Sequence, residues 1–363
     1  MQGFRPVVSG WRVLGWVAVV GVLALGGSAC RRDPAEQKAA DAPLHDPHMV
    51  ARSGLAMGSS LTLMAWTADE DTANRAFEQV FKEFDRLDQL LSVWKPGSDI
   101  VRLNEAAGDH PVKVSPETIN VISLARYMSE LTSGKFDITF GALSDVWKFD
   151  HDQDDSIPSK AAIAARLPLI DYRELTVNAA EGTAFLGKKG MRAHLGGIGK
   201  GYAVDQAVAM LRAAGLHDFS VQAGGDLYVA GKRGDRPWRL GIADPRAPEG
   251  EIFARIELSD STFSTSGDYE RSFVKNGVRY HHILDPATGQ PGRLCRSVTI
   301  VAPQGVLAEG LSKGVFLLGA EEGLKLVEKA GAMAVVVDAA NTVHISDGLK
   351  GKVEIVHPPT DGV

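Results

Sequence analysis

The strongest local constraint on this chain is Leu195-Gly196-Gly197-Ile198-Gly199-Lys200-Gly201, in which four of the six residues from position 196 are glycine. Lacking Cβ atoms, such a segment turns tightly and lets the backbone come close to a ligand. After it, Ala203, Val204, Ala207, Val208 and Leu211 recur at three-and-four spacing, which predicts a helix stopped at Gly215. A glycine turn opening a helix is a ready anion site, because free N–H groups and the helix dipole point the same way. Lys200 adds a full positive charge. The segment reads as a phosphate or diphosphate cradle, the alternative being that the glycines serve the turn alone. It is not a nucleotide P-loop, which needs Ser or Thr after the lysine to hold magnesium; here Gly201 follows.

The amino terminus bears on where the protein acts. Arg5 and Arg12 precede an apolar run, Val13 to Leu25, then Gly26-Gly27-Ser28-Ala29 and Cys30. That layout is a secretory signal over 1–29, too short for a membrane span. Cys30 after small residues matches a bacterial lipoprotein cleavage site, although Gly27 stands where leucine is usual. Residues 30–50, rich in Asp, Pro, Ala and Lys without periodicity, read as a flexible tether from a lipid anchor. Arg5 and Arg12 are the only charges of the signal, so its removal takes the formal charge from −6 to −8. That balance argues against nucleic acid as a partner. With Cys30 acylated, Cys295 has no cysteine left to pair with, so neither a disulfide nor a cysteine metal site is available.

The body of the chain, 44% apolar overall, has ample material for a core. Leu61, Leu63 and Ala65 alternate as in a strand, and Ala73 to Leu91 repeat at helical spacing. Trp94 lies beside a Pro-Gly turn, a position that suits a packing anchor more than a ligand stack. Ser115-Pro116-Glu117 starts a second helix, with Ser as cap and Pro at the first position. Asp137, between Phe136 and Ile138, must point outward or find a partner. Strands follow at Val221–Gly231 (two, around a tight turn), Trp238–Ile242, Ile252–Leu258, Ser297–Val301 and Ala334–Asp338, with a helix near Leu307–Leu318. The class is α+β with much antiparallel sheet. His281 and His282 place one ring on each face of a strand, and Asp285-Pro286-Ala287-Thr288-Gly289 is type I turn chemistry. One histidine beside a turn aspartate forms either an acid/base pair or a surface cluster.

Together these pieces resemble the ApbE family, the FAD:protein FMN transferases. The resemblance rests on Met57-Gly58, the Leu91–Asn104 loop, Gly134–Thr139, Leu195–Asp205, Ala223–Asp226, Ser266–Arg271 and His282–Pro291, in family order from about Met57 to Gly319. It implies one flavin-transferase unit over 51–357, facing the periplasm. Such an enzyme takes FAD and Mg2+, moves FMN onto a Ser or Thr hydroxyl of an acceptor protein through a phosphoester bond, and releases AMP. It further implies that Met57, Trp94, Lys135, Phe136, Asp137, His194, Lys200 and Ile283 hold FAD, and that His282 and Asp285 are the catalytic acid/base turn. The implied metal positions are the backbone carbonyl near Gly197 and the side chains at 309 and 313.

Three of these positions depart from the family pattern. His194 stands where the glycine turn usually opens with Asp, Glu309 stands for Asp, and Lys313 for Thr. The carboxylate keeps its charge, whereas an ammonium has no lone pair and repels a cation. Two readings follow. Either the transferase works with Lys313 supplying charge, or the chain binds FAD in the periplasm and has lost both magnesium and transfer.

Overall fold

The computed structural model describes residues 46–362. The expected signal peptide, Cys30 and the tether up to residue 45 lie outside them. Eight strands form one sheet whose spatial order is their chain order: β1 (His48–Ala56), β2 (Ser59–Thr67), β3 (Phe219–Ala223), β4 (Asp226–Ala230), β5 (Ser261–Gly267), β6 (Cys295–Ala302), β7 (Met333–Asp338) and β8 (Val343–Ile345). All neighbours pair antiparallel. β1 takes up His48, Met49 and Val50, which pair with Thr67, Trp66 and Ala65. The last three residues of the expected tether therefore belong to the sheet; composition hid them because three residues at a strand's start are too few to show a period.

Five helices are inserted between β2 and β3: α1 (Glu70–Leu91), α2 (Asp99–Glu105), α3 (Pro116–Leu131), α4 (Lys160–Ala164) and α5 (Gly199–Ala213). Two more, α6 (Gly305–Leu318) and α7 (Ala320–Lys329), join β6 to β7. α1 starts where the Asp69 side chain accepts from the Thr72 N–H, and it buries Ala73, Phe77, Val80, Phe84, Leu87 and Leu91 along one stripe. Each large side chain on that stripe contributes about 1.5–3 kcal/mol by leaving water. α3 begins as its sequence predicts, capped by Ser115 with Pro116 in its first turn.

The sheet is covered on both faces. A large core holds Phe77, Phe84, Ala203, Leu211 and Phe316 from the helices with Ala334 and Val336 of β7. A second core sets Val335 and Val337 of the same strand against Trp238, Phe253 and Ile256. Those last residues lie in a three-stranded sheet of Trp238–Ala243, Ile252–Leu258 and Val353–Ile355. Burial on both sides explains why Met333–Val337 is an unbroken apolar run. A smaller cluster of Leu143, Trp147, Phe149, Ile163, Phe273 and Leu284 supports the segment between β5 and β6. That segment carries two short hairpins, Ser272–Lys275 with Val278–His281 and Leu284–Asp285 with Gln290–Pro291. Packing continues past residue 357, where Thr360 donates its N–H and hydroxyl to Asp244 Oδ2 at 2.9 and 2.8 Å. Among the described residues no helix is long and apolar enough to cross a membrane.

Candidate active site

A cleft opens where the glycine turn, the β1–β2 turn, the loop after α1 and the His282 segment meet. It has two adjoining lobes of about 220 and 560 Å3 that share Trp94, Phe149, Asp150, His194, Gly196, Lys200 and Arg271. Pockets for small molecules span roughly 300–1,000 Å3, so the two lobes together suit something larger than a lone base or sugar. Met57 and Gly58 form the two-residue turn between β1 and β2, both with positive φ (48° and 70°). That conformation matches the twist of an antiparallel hairpin, and it sets Met57 at the wall of the larger lobe. Trp94 is 48% exposed and borders both lobes, with His151 edge-on at 4.6 Å. It is therefore a cleft residue with an open face rather than a packing anchor. His151 lines the larger lobe with it.

Lys135, Phe136 and Asp137 follow α3 and enter the smaller lobe. Asp137 finds its partners inside: Oδ1 accepts from the Thr139 N–H and hydroxyl at 2.8 and 2.7 Å, and Oδ2 from the Tyr172 N–H at 2.8 Å. Burial nonetheless pushes its carboxyl above the usual aspartate range. Both oxygens are spent on the loop, so Asp137 shapes the wall, while the Phe136 N–H donates to Thr132 Oγ1 at 2.9 Å. Lys135 Nζ donates to both oxygens of Asp285 at 3.0 and 2.8 Å. Of the two arrangements left open for this aspartate, neither a histidine pair nor a loose surface cluster forms: its side chain is committed to Lys135 and to the Ala287 N–H. The turn itself forms as expected, with Thr288 and Gly289 N–H groups donating to Asp285 O.

The two histidines part, though not by strand alternation: the strand ends at His281, and His282 lies in the bend after it. His281 is buried, its Nε2 bonded to Gly292 O at 2.9 Å while Nδ1 accepts from the Ile283 N–H at 3.3 Å. Burial drives its pKa down to about 4. His282 lines the smaller lobe beside Ile283, and its buried Nδ1 has no hydrogen-bond partner. Burial, then the charge of Arg271, holds this ring well below the usual histidine range, so it is neutral. His194 is neutral too, held by burial at about 4, with Nδ1 accepting from the Gly196 N–H at 3.0 Å.

The glycine turn departs most from expectation. Its helix does bind an anion, but the anion is the protein's own Glu309. The Gly201 N–H donates to Glu309 Oε2 at 2.7 Å, and Lys200 Nζ lies 2.9 Å from Oε1. Lys200 also approaches Asp226 Oδ2 at 3.6 Å, and Lys313 reaches Glu309 Oε1 at 3.4 Å. Ser264 donates to Asp226 Oδ1 at 2.6 Å. Burial pushes the Glu309 carboxyl up, but the two lysines and the Gly201 N–H outweigh it and hold it below the usual glutamate range. Lys200 stays above the ordinary lysine value because Glu309 and Asp226 overcome its burial. Lys313 falls below it, burial winning over the same two carboxylates. Asp226 and Arg271 carry no assigned role in the sequence reading. The signal for Asp226 was an acid opening an apolar strand, which demands a cation nearby.

The residues at 197, 309 and 313 do not fit a magnesium ion. Magnesium needs near-octahedral oxygen donors. Both Glu309 oxygens are engaged by N–H donors, and the third position is an ammonium. Among the described residues no group of three or more His, Cys, Asp or Glu side chains is placed to hold a metal.

With this geometry in place, known proteins can be compared. Residues 57–337 match the ApbE family. The chain belongs to the ApbE family. An FAD:protein FMN transferase of Klebsiella pneumoniae is 32% identical, over 77% of this chain and 81% of that protein. One from Treponema pallidum is also 32% identical, over 77% and 82%. In three dimensions this ApbE chain is similar to the ApbE protein of Thermotoga maritima, with TM-score 0.78, 31% identity and coverage of 84% of this chain and 99% of that one. The flavin transferase ApbE of Vibrio cholerae gives TM-score 0.74 at 27% identity, covering 84% and 99%.

Proposed function

We propose that this chain transfers FMN from FAD to a Ser or Thr hydroxyl of an acceptor protein, releasing AMP. The observation that carries the chemistry is His282, a neutral imidazole in the cleft wall whose buried Nδ1 lacks a partner. A buried polar atom is rarely left unbonded, and a reacting hydroxyl or phosphate is a fitting partner. The hydroxyl oxygen attacks the phosphorus of the FMN half, and its proton passes to the His282 ring. The bond from that phosphorus to the bridging oxygen breaks, and AMP leaves with the oxygen. Lys200, Lys313 and Arg271, all lining the same lobe, face the negative charge that builds up. Lys135, held by Asp285, lines the smaller lobe, while Met57, Trp94, Phe136 and Ile283 supply apolar surface for the flavin. No step is assigned to magnesium, which the residues at 197, 309 and 313 do not fit.

The second reading, an FAD-binding member without transferase activity, draws on that same misfit. One experiment separates the two. Purified protein is incubated with FAD and candidate acceptors carrying Ser or Thr, then run on a denaturing gel for flavin fluorescence. The transferase reading expects a fluorescent acceptor, lost in His282→Ala by about a hundredfold or more, the usual scale for general-base removal, with FAD binding retained. Tight FAD binding with no labelled acceptor would instead establish the second reading. For placement, the proposal is a periplasm-facing enzyme held to the membrane by a lipid on Cys30. Cys295 offers no competing reactivity, since burial pushes its thiol up to about 12.

A further inference from the structure

We propose that Lys313 and Lys200 together bind the diphosphate of the dinucleotide directly, so that this site works without a divalent cation. The proposal rests on reading the cleft as a flavin dinucleotide site. Four charged side chains meet there, two ammoniums and two carboxylates. The carboxylates lie at the back, Glu309 with 0% and Asp226 with 3% of the side chain exposed. The ammonium-bearing side chains are each 19% exposed and border the cleft. An anion arriving from the cleft therefore meets cations first, and a cation arriving the same way is repelled.

The carboxylates are also satisfied from behind. Glu309 Oε2 takes the Gly201 N–H and Asp226 Oδ1 the Ser264 hydroxyl, which leaves the lysines free to turn part of their hydrogen-bonding capacity outward. An ammonium has three donors: Lys313 uses one on Glu309, and Lys200 uses one on Glu309 and one on Gly196 O at 3.4 Å. Lys313 lies against the glycine turn: a Cβ at Gly197 would stand 4.0 Å from its Cε. Lys200 comes from α5 and Lys313 from α6, so the pair grips a ligand from two elements, as two phosphate groups require.

Two measurements test this. Mn2+ is titrated into the apoprotein and followed by electron paramagnetic resonance. The free-ion signal is expected to be undiminished, and stoichiometric capture of Mn2+ would overturn the proposal whatever the ligand. FAD affinity is then measured by flavin fluorescence in EDTA and in excess Mg2+, with inorganic pyrophosphate as competitor. Equal affinities, competition by pyrophosphate, and a loss of about tenfold or more in Lys313→Ala are expected. Lys313→Arg should retain binding, and circular dichroism checks that each variant is folded; Glu309 keeps Lys200 and the Gly201 N–H in both. FAD binding that appears only with Mg2+ sinks this proposal and leaves the flavin reading standing. No binding of FAD in either condition sinks the flavin reading itself, and the diphosphate role with it.

Discussion

His281 and His282 are neighbours in the chain with opposite surroundings. The first is closed in the core with both ring nitrogens bonded, and the second meets the cleft with Nδ1 unbonded. The closed ring makes stability depend on pH. His281 titrates at about 4 in the folded chain, against an ordinary value near 6.5. Above that ordinary value the ring is neutral folded or unfolded, and its full contribution is present. As pH falls from about 6.5 to 4, the unfolded chain takes up a proton that the native ring refuses, so stability drops by up to about 3 kcal/mol. Urea unfolding from pH 7 to pH 4.5 should show this slope, steepened by His194 and His282, whose values are depressed in the same direction. In His281→Gln the slope should be shallower. Curves that stay parallel to the parent's would show that this ring does not supply the effect.

Helices α5 and α6 cap each other. Neither start has a side-chain cap of its own. Glu309 of α6 accepts the Gly201 N–H of α5, and Asp205 of α5 accepts the Gly305 and Val306 N–H groups of α6 at 2.6 and 3.0 Å. Each carboxylate thus answers the positive end of the other helix. The exchange needs the two backbones nearly in contact. A Cβ on Gly201 would come within 2.4 Å of Gly305 O, and one on Gly305 within 2.5 Å of Gly201 O. Gly201→Ala should therefore cost about 1–3 kcal/mol by overpacking, read as a lower denaturation midpoint. It should also weaken FAD binding, because the shift displaces Glu309 and both lysines. A variant with unchanged stability would show that the helices part without cost.

At the scale of the whole molecule, the eight-stranded sheet gathers short segments that lie far apart in sequence. The β1–β2 turn, the end of α3, the glycine turn and the hairpins after β5 all reach one cleft. Among the described residues, everything that lines this cleft lies between 57 and 317. The lipid anchor proposed at Cys30 should then govern location alone. Cys30→Ala is expected to move the protein from membranes to the soluble periplasmic fraction while FAD affinity stays within about twofold. A variant that remains with the membrane would exclude acylation at Cys30.

Much of this was open to reading from residues alone, and the division has a physical cause. The helix start at Ser115, the strand periods, the glycine turn and the Asp285–Gly289 turn are local, set by backbone sterics and side-chain chemistry within a few positions. The order of the motifs was enough to name the family. Partnership was not legible, because a charge chooses its counter-charge through space. That Asp285 would go to Lys135, that Asp137 would turn inward to Tyr172, and that Glu309 would occupy the helix start meant for a ligand's phosphate are decided by packing. Sequence placed a lysine at 313, where the resemblance implies a metal position; only the folded chain, by seating Lys313 and Lys200 on one carboxylate, settled which charge faces the cleft.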